Sequence, residues 1–268
     1  MREHSLVKRL AGETDFRWRG EEITRLEGFS DAVFAFAVTL LVVSLEVPKT
    51  FGDLMEAMRG FAAFGVCFAL LSQIWFGHYR FFRRYGLQDP WAVFLNCVLL
   101  FFAVFFVYPL KFLAVSIFAN GGVMDAGEAR PLFAVYGSGF AAVFLVFTLL
   151  YLHAWKMRDE LALNDLERLK TREGTINNLA MTVVGLVSIA LALSLPLGWV
   201  SLAGYIYFLV AAYFWVAGTM FGKKARRLKE RLSAATAIPT AEEESAPTEL
   251  EAELSSAEDE NAPSGLLE

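Results

Sequence analysis

Long apolar stretches bounded by clusters of charge constrain this chain more than any other feature. Runs of 18 or more apolar residues recur along it, and a helix of that length crosses the roughly 30 Å hydrocarbon core of a bilayer. The strands of a membrane barrel would alternate polar and apolar residues, and these runs do not. Composition agrees, with 56% hydrophobic residues, 25 Phe and 20% charged residues, where average chains carry about 25% charged. The pattern predicts an all-α polytopic membrane protein, with the lipid bilayer as its surroundings and no nucleic-acid partner.

Six spans are expected near 27–47, 58–80, 91–118, 131–155, 176–196 and 199–221. Pro48, Pro90, Pro131 and Pro196 fall at their boundaries, where a missing backbone N–H does least harm. The Pro-Leu-Gly-Trp connection at 196–199 is short enough to demand an antiparallel hairpin of the last two spans. Segments 1–25, 80–84, 156–172 and 223–231 hold 20 Lys and Arg; the alternate side holds only Lys49, Arg59, Lys111 and Arg130. This asymmetry predicts a multi-pass protein of the cell membrane with both termini in the cytoplasm.

The net charge of −5 belongs to the tail, because residues 241–268 contain ten acids and no base. Composition divides the chain into a cytoplasmic segment 1–24, a six-helix domain 25–222, a basic helix extension 223–231 and an acidic tail 232–268. The tail has too little apolar area to offset its ordering entropy and is predicted to be disordered. Residues 121–129 read as a flexible outer loop. Cys67 and Cys97 lie inside apolar segments as small hydrophobes, without the spacing of a metal site or disulfide framework.

Enzyme constellations are scarce. His4 lies in the terminal segment, while His78 and His153 sit at the cytoplasmic ends of spans. No zinc-protease, nucleophile-elbow or phosphate-loop motif appears, so neither catalysis nor a cofactor is expected. Asp31 stands near the start of an apolar run with no charged residue close after it. Intramembrane acids mark function or pairing, but a carboxylate in the first turns also favours the helix dipole. The structural role is the reading adopted.

The first span reads Arg25-Leu-Glu-Gly-Phe29-Ser30-Asp31-Ala-Val-Phe-Ala-Phe36-Ala-Val-Thr39-Leu40-Leu-Val-Val43-Ser44-Leu-Glu46-Val-Pro48. Its Arg, three residues on average unconstrained, then Phe-Ser-Asp resembles the signature of the transmembrane protein 175 family of potassium channels. Trp75 and His78, near the end of the second span, resemble the family's Trp and His there, and Asn96 and Pro109 fall where the family tends to have them. The resemblance covers roughly 22–221. It implies a homotetramer whose pore is lined by the first helix of each subunit, with potassium ions as the permeant partner. It also implies a constriction at Phe36, Leu40 and Val43, with a selectivity ring at Thr39.

At about 100° per residue, Ala32, Thr39, Leu40 and Val43 lie within roughly 60° of Phe36 in one stripe. By geometry alone this stripe reads more readily as a helix-packing face. Ser30 and Asp31 fall about 120–140° away, which places them against neighbouring helices in a structural polar cluster of Arg25, Asp31 and His78. Glu46 lies about 80° off the stripe, at the outer mouth or a solvated helix end. The family's narrowest position is typically aliphatic, and here it is Phe36. The expected function is therefore a potassium-permeable channel with a hydrophobic constriction. A secondary transporter coupled to protons or cations through Asp31 is the alternative, although the repeats and broken helices common in transporters are missing.

Overall fold

The computed structural model describes residues 16–20, 22–43, 49–118 and 126–236. Every regular element among them is helical: α1 (Arg25–Val43), α2 (Phe51–Tyr85), α3 (Pro90–Phe118), α4 (Ala126–Lys156), α5 (Asp165–Ser194), the single turn α6 (Leu202–Tyr205) and α7 (Leu209–Thr236). Short 3-10 turns at Leu197–Trp199 and Ile206–Phe208 flank α6. Five stretches are long and apolar enough to cross a membrane: Phe61–Tyr85, Pro90–Ser116, Gly127–Lys156, Asp165–Ser194 and Leu202–Arg231. The 19-residue α1 is a sixth helix, about 28 Å long at 1.5 Å per residue. The protein is a multi-pass helical membrane protein.

Local chemistry sets the helix ends, and several lie beyond the apolar runs that announced them. Asp89 caps α3 by accepting from the backbone N–H groups of Trp91 (3.1 Å) and Ala92 (3.2 Å). Pro90 follows at the first helical position, where its missing N–H costs nothing. α5 begins at Asp165, about three turns before the expected 176. A reciprocal capping box explains this: Asn164 Oδ1 accepts from Glu167 N–H, and Glu167 Oε2 accepts from Asn164 N–H. Pro131 was expected at a boundary but lies inside α4, close enough to its start that few intrahelical bonds are lost. Gly86 ends α2 at φ +62° and donates to Phe82 O over 2.8 Å, a left-handed cap that suits glycine.

Water cannot drive helices together inside a bilayer, so close packing through small residues does much of the work. α4 and α5 show this best. A Cβ on Gly185 would stand 2.9 Å from the Ala141 Cβ, and one on Gly137 would stand 2.9 Å from Ile189 Cγ1. The core that results runs from Phe34 and Leu41 on α1 through Leu71, Phe81 and Tyr85 on α2 to Leu99, Leu150 and Ala154 on α3 and α4.

Residues 16–20 pack against the end of α2 and the start of α5. Phe16 and Trp18 are buried, while Arg19 and Gly20 donate backbone N–H groups to Arg83 O at 3.1 and 3.2 Å. The Arg19 guanidinium bridges Glu167 at 2.7 Å and also donates to Leu161 O at 2.8 Å.

The chain divides into two compact units, Met1–Lys223 and Lys224–Glu268. The described part of the second is helical to Thr236, past the expected end of the basic extension at 231. It carries an Arg226–Glu230 pair at 2.9 Å, one turn apart.

Candidate functional site

Helix α1 presents two unlike faces. Glu27, Ser30, Phe34, Ala37 and Leu41 are buried, and their alternating spacing of three and four is one face of an α-helix. Phe29 and Phe36 are 56% and 58% exposed on the opposite side, with Ala32, Ala35 and Thr39 exposed beside them.

The buried face is held by a one-directional chain of hydrogen bonds. His78 Nε2 donates to Asn96 Oδ1 at 2.7 Å, and Asn96 Nδ2 donates to Ser30 Oγ at 2.9 Å. Ser30 Oγ in turn donates to Leu26 O at 2.7 Å. All three side chains are essentially inaccessible, and in a medium of low dielectric such a satisfied chain rigidifies the contact it spans. It ties α1 to α2 and α3 at one point.

A capping box secures the start of α1. Glu27 Oε2 accepts from Thr24 N–H at 2.9 Å, and Thr24 Oγ1 accepts from Glu27 N–H at 3.1 Å. Arg83 of α2 adds an ion pair to Glu27 at 3.6 Å. The Thr-x-x-Glu spacing in the sequence is itself a helix-start signal.

Of the expected polar cluster, the structure joins different partners. Asp31 Oδ1 accepts from the Trp75 indole Nε1 at 2.7 Å, one turn of α2 before the anticipated His78. His78 is turned to Asn96 instead, and Arg25 is exposed at the first position of α1. The physical reason is the direction of the side chains: Ser30 faces the interior, whereas Asp31 is rotated to the exposed edge, where the Trp75 indole reaches it. Trp75 is itself held by stacking on Tyr79 at 5.8 Å.

On the outer face, Thr39 Oγ1 donates to Ala35 O at 2.9 Å. With its proton committed there, the hydroxyl offers oxygen lone pairs outward. Leu40 is half-buried at the edge of the stripe. Val43 is the last residue of α1; its side chain and the whole of Glu46 lie outside the described residues. Phe29 borders an apolar groove of about 520 Å³ between α1 and α3, lined by Val33, Leu100, Phe101, Phe105 and Tyr108.

This architecture defines a helical membrane protein with one helix anchored along a polar seam and apolar on its free side. The family described as "Endosomal/lysosomal potassium channel TMEM175" matches residues 25–107, the span that contains both the seam and the stripe. A potassium channel of Marivirga tractuosa is 43% identical over 231 residues, covering 80% of this chain and 94% of that one. A potassium channel of Chamaesiphon minutus is 31% identical over 201 residues, covering 72% of this chain and 93% of its own. The crystal structure of a threonine-to-alanine variant of the potassium channel MtTMEM175, in complex with a nanobody–MBP fusion, superposes with a TM-score of 0.68. It is 41% identical and covers 78% of this chain and 98% of that one. The chain belongs to the TMEM175 family. These matched proteins are named as channels, and coupled transport through Asp31 finds no support among them.

Proposed function

We propose that the chain assembles as a homotetrameric, potassium-permeable cation channel whose pore is lined by the exposed stripe of α1. The observation that carries this reading is the contrast within that helix: polar side chains saturated on the inner face, Phe36 and Thr39 presented on the outer one. A single α1 cannot enclose an aqueous path, so the stripe needs copies of itself. The exposed aromatics Phe29, Phe101, Phe105 and Tyr108 supply an apolar flank for a neighbouring subunit.

In this reading Phe36, Leu40 and Val43 form the constriction, and four phenyl rings at Phe36 exclude water when the helices are close. The ring faces also attract a passing cation by their quadrupoles. Thr39 contributes an inward-facing oxygen one turn on, and Glu46 a ring of carboxylates at the outer mouth. Residues 25–222 form the channel domain with six crossings, α1 being the first. Both termini lie on the cytoplasmic side of the cell membrane, as the distribution of Lys and Arg favours; 223–231 then runs along its headgroups.

Reconstitution of the purified protein into liposomes tests the activity. Potassium flux without a counter-gradient, exceeding that of sodium and protons, is expected. Flux that saturates and requires a counter-ion would refute the channel. Mass measurement in detergent tests the assembly, and a monomer at every accessible concentration would refute it.

A further inference from the structure

Away from α1, a cleft of about 470 Å³ opens between α2, α4, α5 and α7. Its walls are sorted by polarity along their length. On α2 the lining passes from Leu70 through Ile74 and Gly77 to Arg80 and Arg84, a distance of roughly 21 Å along the helix. On α5 it passes the other way, from Lys170 and Glu173 to Met181, and on α4 from Tyr151 to Phe140. All three helices therefore place their charged or hydroxylated residues at the same end, while the rest of the lining is mainly apolar with the neutral amides of Gln73, Asn177 and Asn178 among it.

Among the described residues, the polar end carries three cations, Arg80, Arg84 and Lys170, and one carboxylate, Glu173. Arg84 is buried and fixed by its stack over the Phe16 ring at 5.1 Å. Arg80 lies over Phe76 at 5.5 Å. The apolar end is walled by Phe144 and Phe147, and by Phe214 of α7. α7 is drawn to this wall by a hydrogen bond from Tyr213 OH to Asn177 Oδ1 at 3.0 Å. A net positive mouth leading into an aromatic slot of bilayer-leaflet dimensions complements one class of molecule: an amphiphile with an anionic head and an acyl tail.

We propose that this cleft is a binding site for an anionic glycerophospholipid of the leaflet on the Lys/Arg-rich side, its phosphate at Arg80 and Lys170 and one acyl chain between Phe144 and Phe214. Basic pockets between membrane helices hold anionic headgroups in this way. The site is separate from the α1 stripe and does not depend on ion conduction, though the assignment of the leaflet rests on the orientation proposed above. An occupant lodged against both α5 and α7 would brace the last helix beside the Tyr213–Asn177 hydrogen bond.

Native mass spectrometry of the full-length protein, released from micelles doped with phosphatidylglycerol or with phosphatidylcholine of the same chains, tests this without any flux measurement. Wild-type protein is expected to retain phosphatidylglycerol over phosphatidylcholine. Arg80→Gln combined with Lys170→Gln should lower phosphatidylglycerol retention about thirtyfold, two cations' worth of headgroup attraction. Lys223→Gln with Lys224→Gln, the same charge change in the basic extension, should leave it unchanged. Val210→Trp, which fills the apolar end without touching charge, should also abolish retention, and it decides the matter if the double variant fails to assemble. Glycerol 1-phosphate should not displace the lipid. Wild-type-like retention in the cleft variants, equal loss in the Lys223/Lys224 control, or displacement by glycerol phosphate would overturn the proposal.

Discussion

The two faces of α1 solve opposite problems with opposite residues. The inner face buries Ser30 and Glu27, and meets His78 and Asn96, with polar atoms that find partners within the subunit. From Ala32 to Thr39 the outer face is apolar apart from Thr39 itself, and it leaves Phe36 more than half exposed. A first guess would assign ions to the polar face and packing to the phenyl rings. The proposed pore assigns them the other way, because a side chain already saturated by its neighbours has little left to offer an ion. Polarity inside a membrane domain is evidence of function only after its partners have been counted.

The sharpest way to break that comparison is to cut the polar seam. Asn96→Ala strands the His78 Nε2 donor and leaves a gap between α1 and α3, at a cost of about 2–3 kcal/mol. The detergent-solubilised protein should melt lower or fail to assemble. Whatever does assemble should keep its preference between potassium and sodium. Intact stability with lost preference would move the seam from scaffold to permeation path.

A smaller loss is expected at Asp31. Its contact with Trp75 is a single hydrogen bond at an exposed position, so Asp31→Ala should cost about 1 kcal/mol. Asp31→Asn, which keeps an oxygen for the indole to reach, should restore most of it. Thermal melts of the two variants check this, and if Asn is no better than Ala the charge matters and not the hydrogen bond.

Phe36→Ala should show the inverse signature. The side chain is exposed in the subunit, so subunit stability should shift by less than about 0.5 kcal/mol. Conductance in single-channel recordings should rise as the constriction wets, and potassium-over-sodium discrimination should weaken. Unchanged conductance from a stable assembly would rule out Phe36 as the gate and return the stripe to a packing role.

How far these faces could be read from sequence depends on which interactions are local. Apolar run length announced the helices and their order, because crossing a bilayer is a demand each helix meets alone. The angular separation of Ser30 and Asp31 from Phe36 followed from helix geometry, but only Ser30 is buried, and Asp31 stays exposed. Asp31's partner did not follow, since choosing between Trp75 and His78 needs the relative rotation of two helices. Phe16 and Trp18, buried beneath no apolar run, were invisible for the same reason: their burial depends on the ends of helices far along the chain. The early start of α5 was the exception that could have been caught, because Asn164 and Glu167 stand three apart ahead of it.

The smallest expected effect lies at the far side of the seam's third helix and separates neutral anchoring from charged anchoring. The hydrogen bonds of the seam involve Ser30, Asn96 and His78, none of them a carboxylate. The cap of α3 relies on Asp89, which also meets His153 Nε2 at 2.9 Å. Partial burial works against ionisation of Asp89, but the His153 contact and the two backbone N–H donors of the cap outweigh it and hold the carboxyl below its usual range. A carboxylate whose pKa is lower folded than unfolded binds fewer protons in the folded state. Its stabilisation is thus complete above the ordinary carboxylate value and is lost as pH falls through the folded one. Melting temperature should therefore decline on the acid side, below about pH 4. Asp89→Asn, which can still cap α3 through its amide oxygen, should start slightly lower at neutral pH and decline less steeply. Parallel acid limbs for the two proteins would mean that Asp89 contributes as a cap alone.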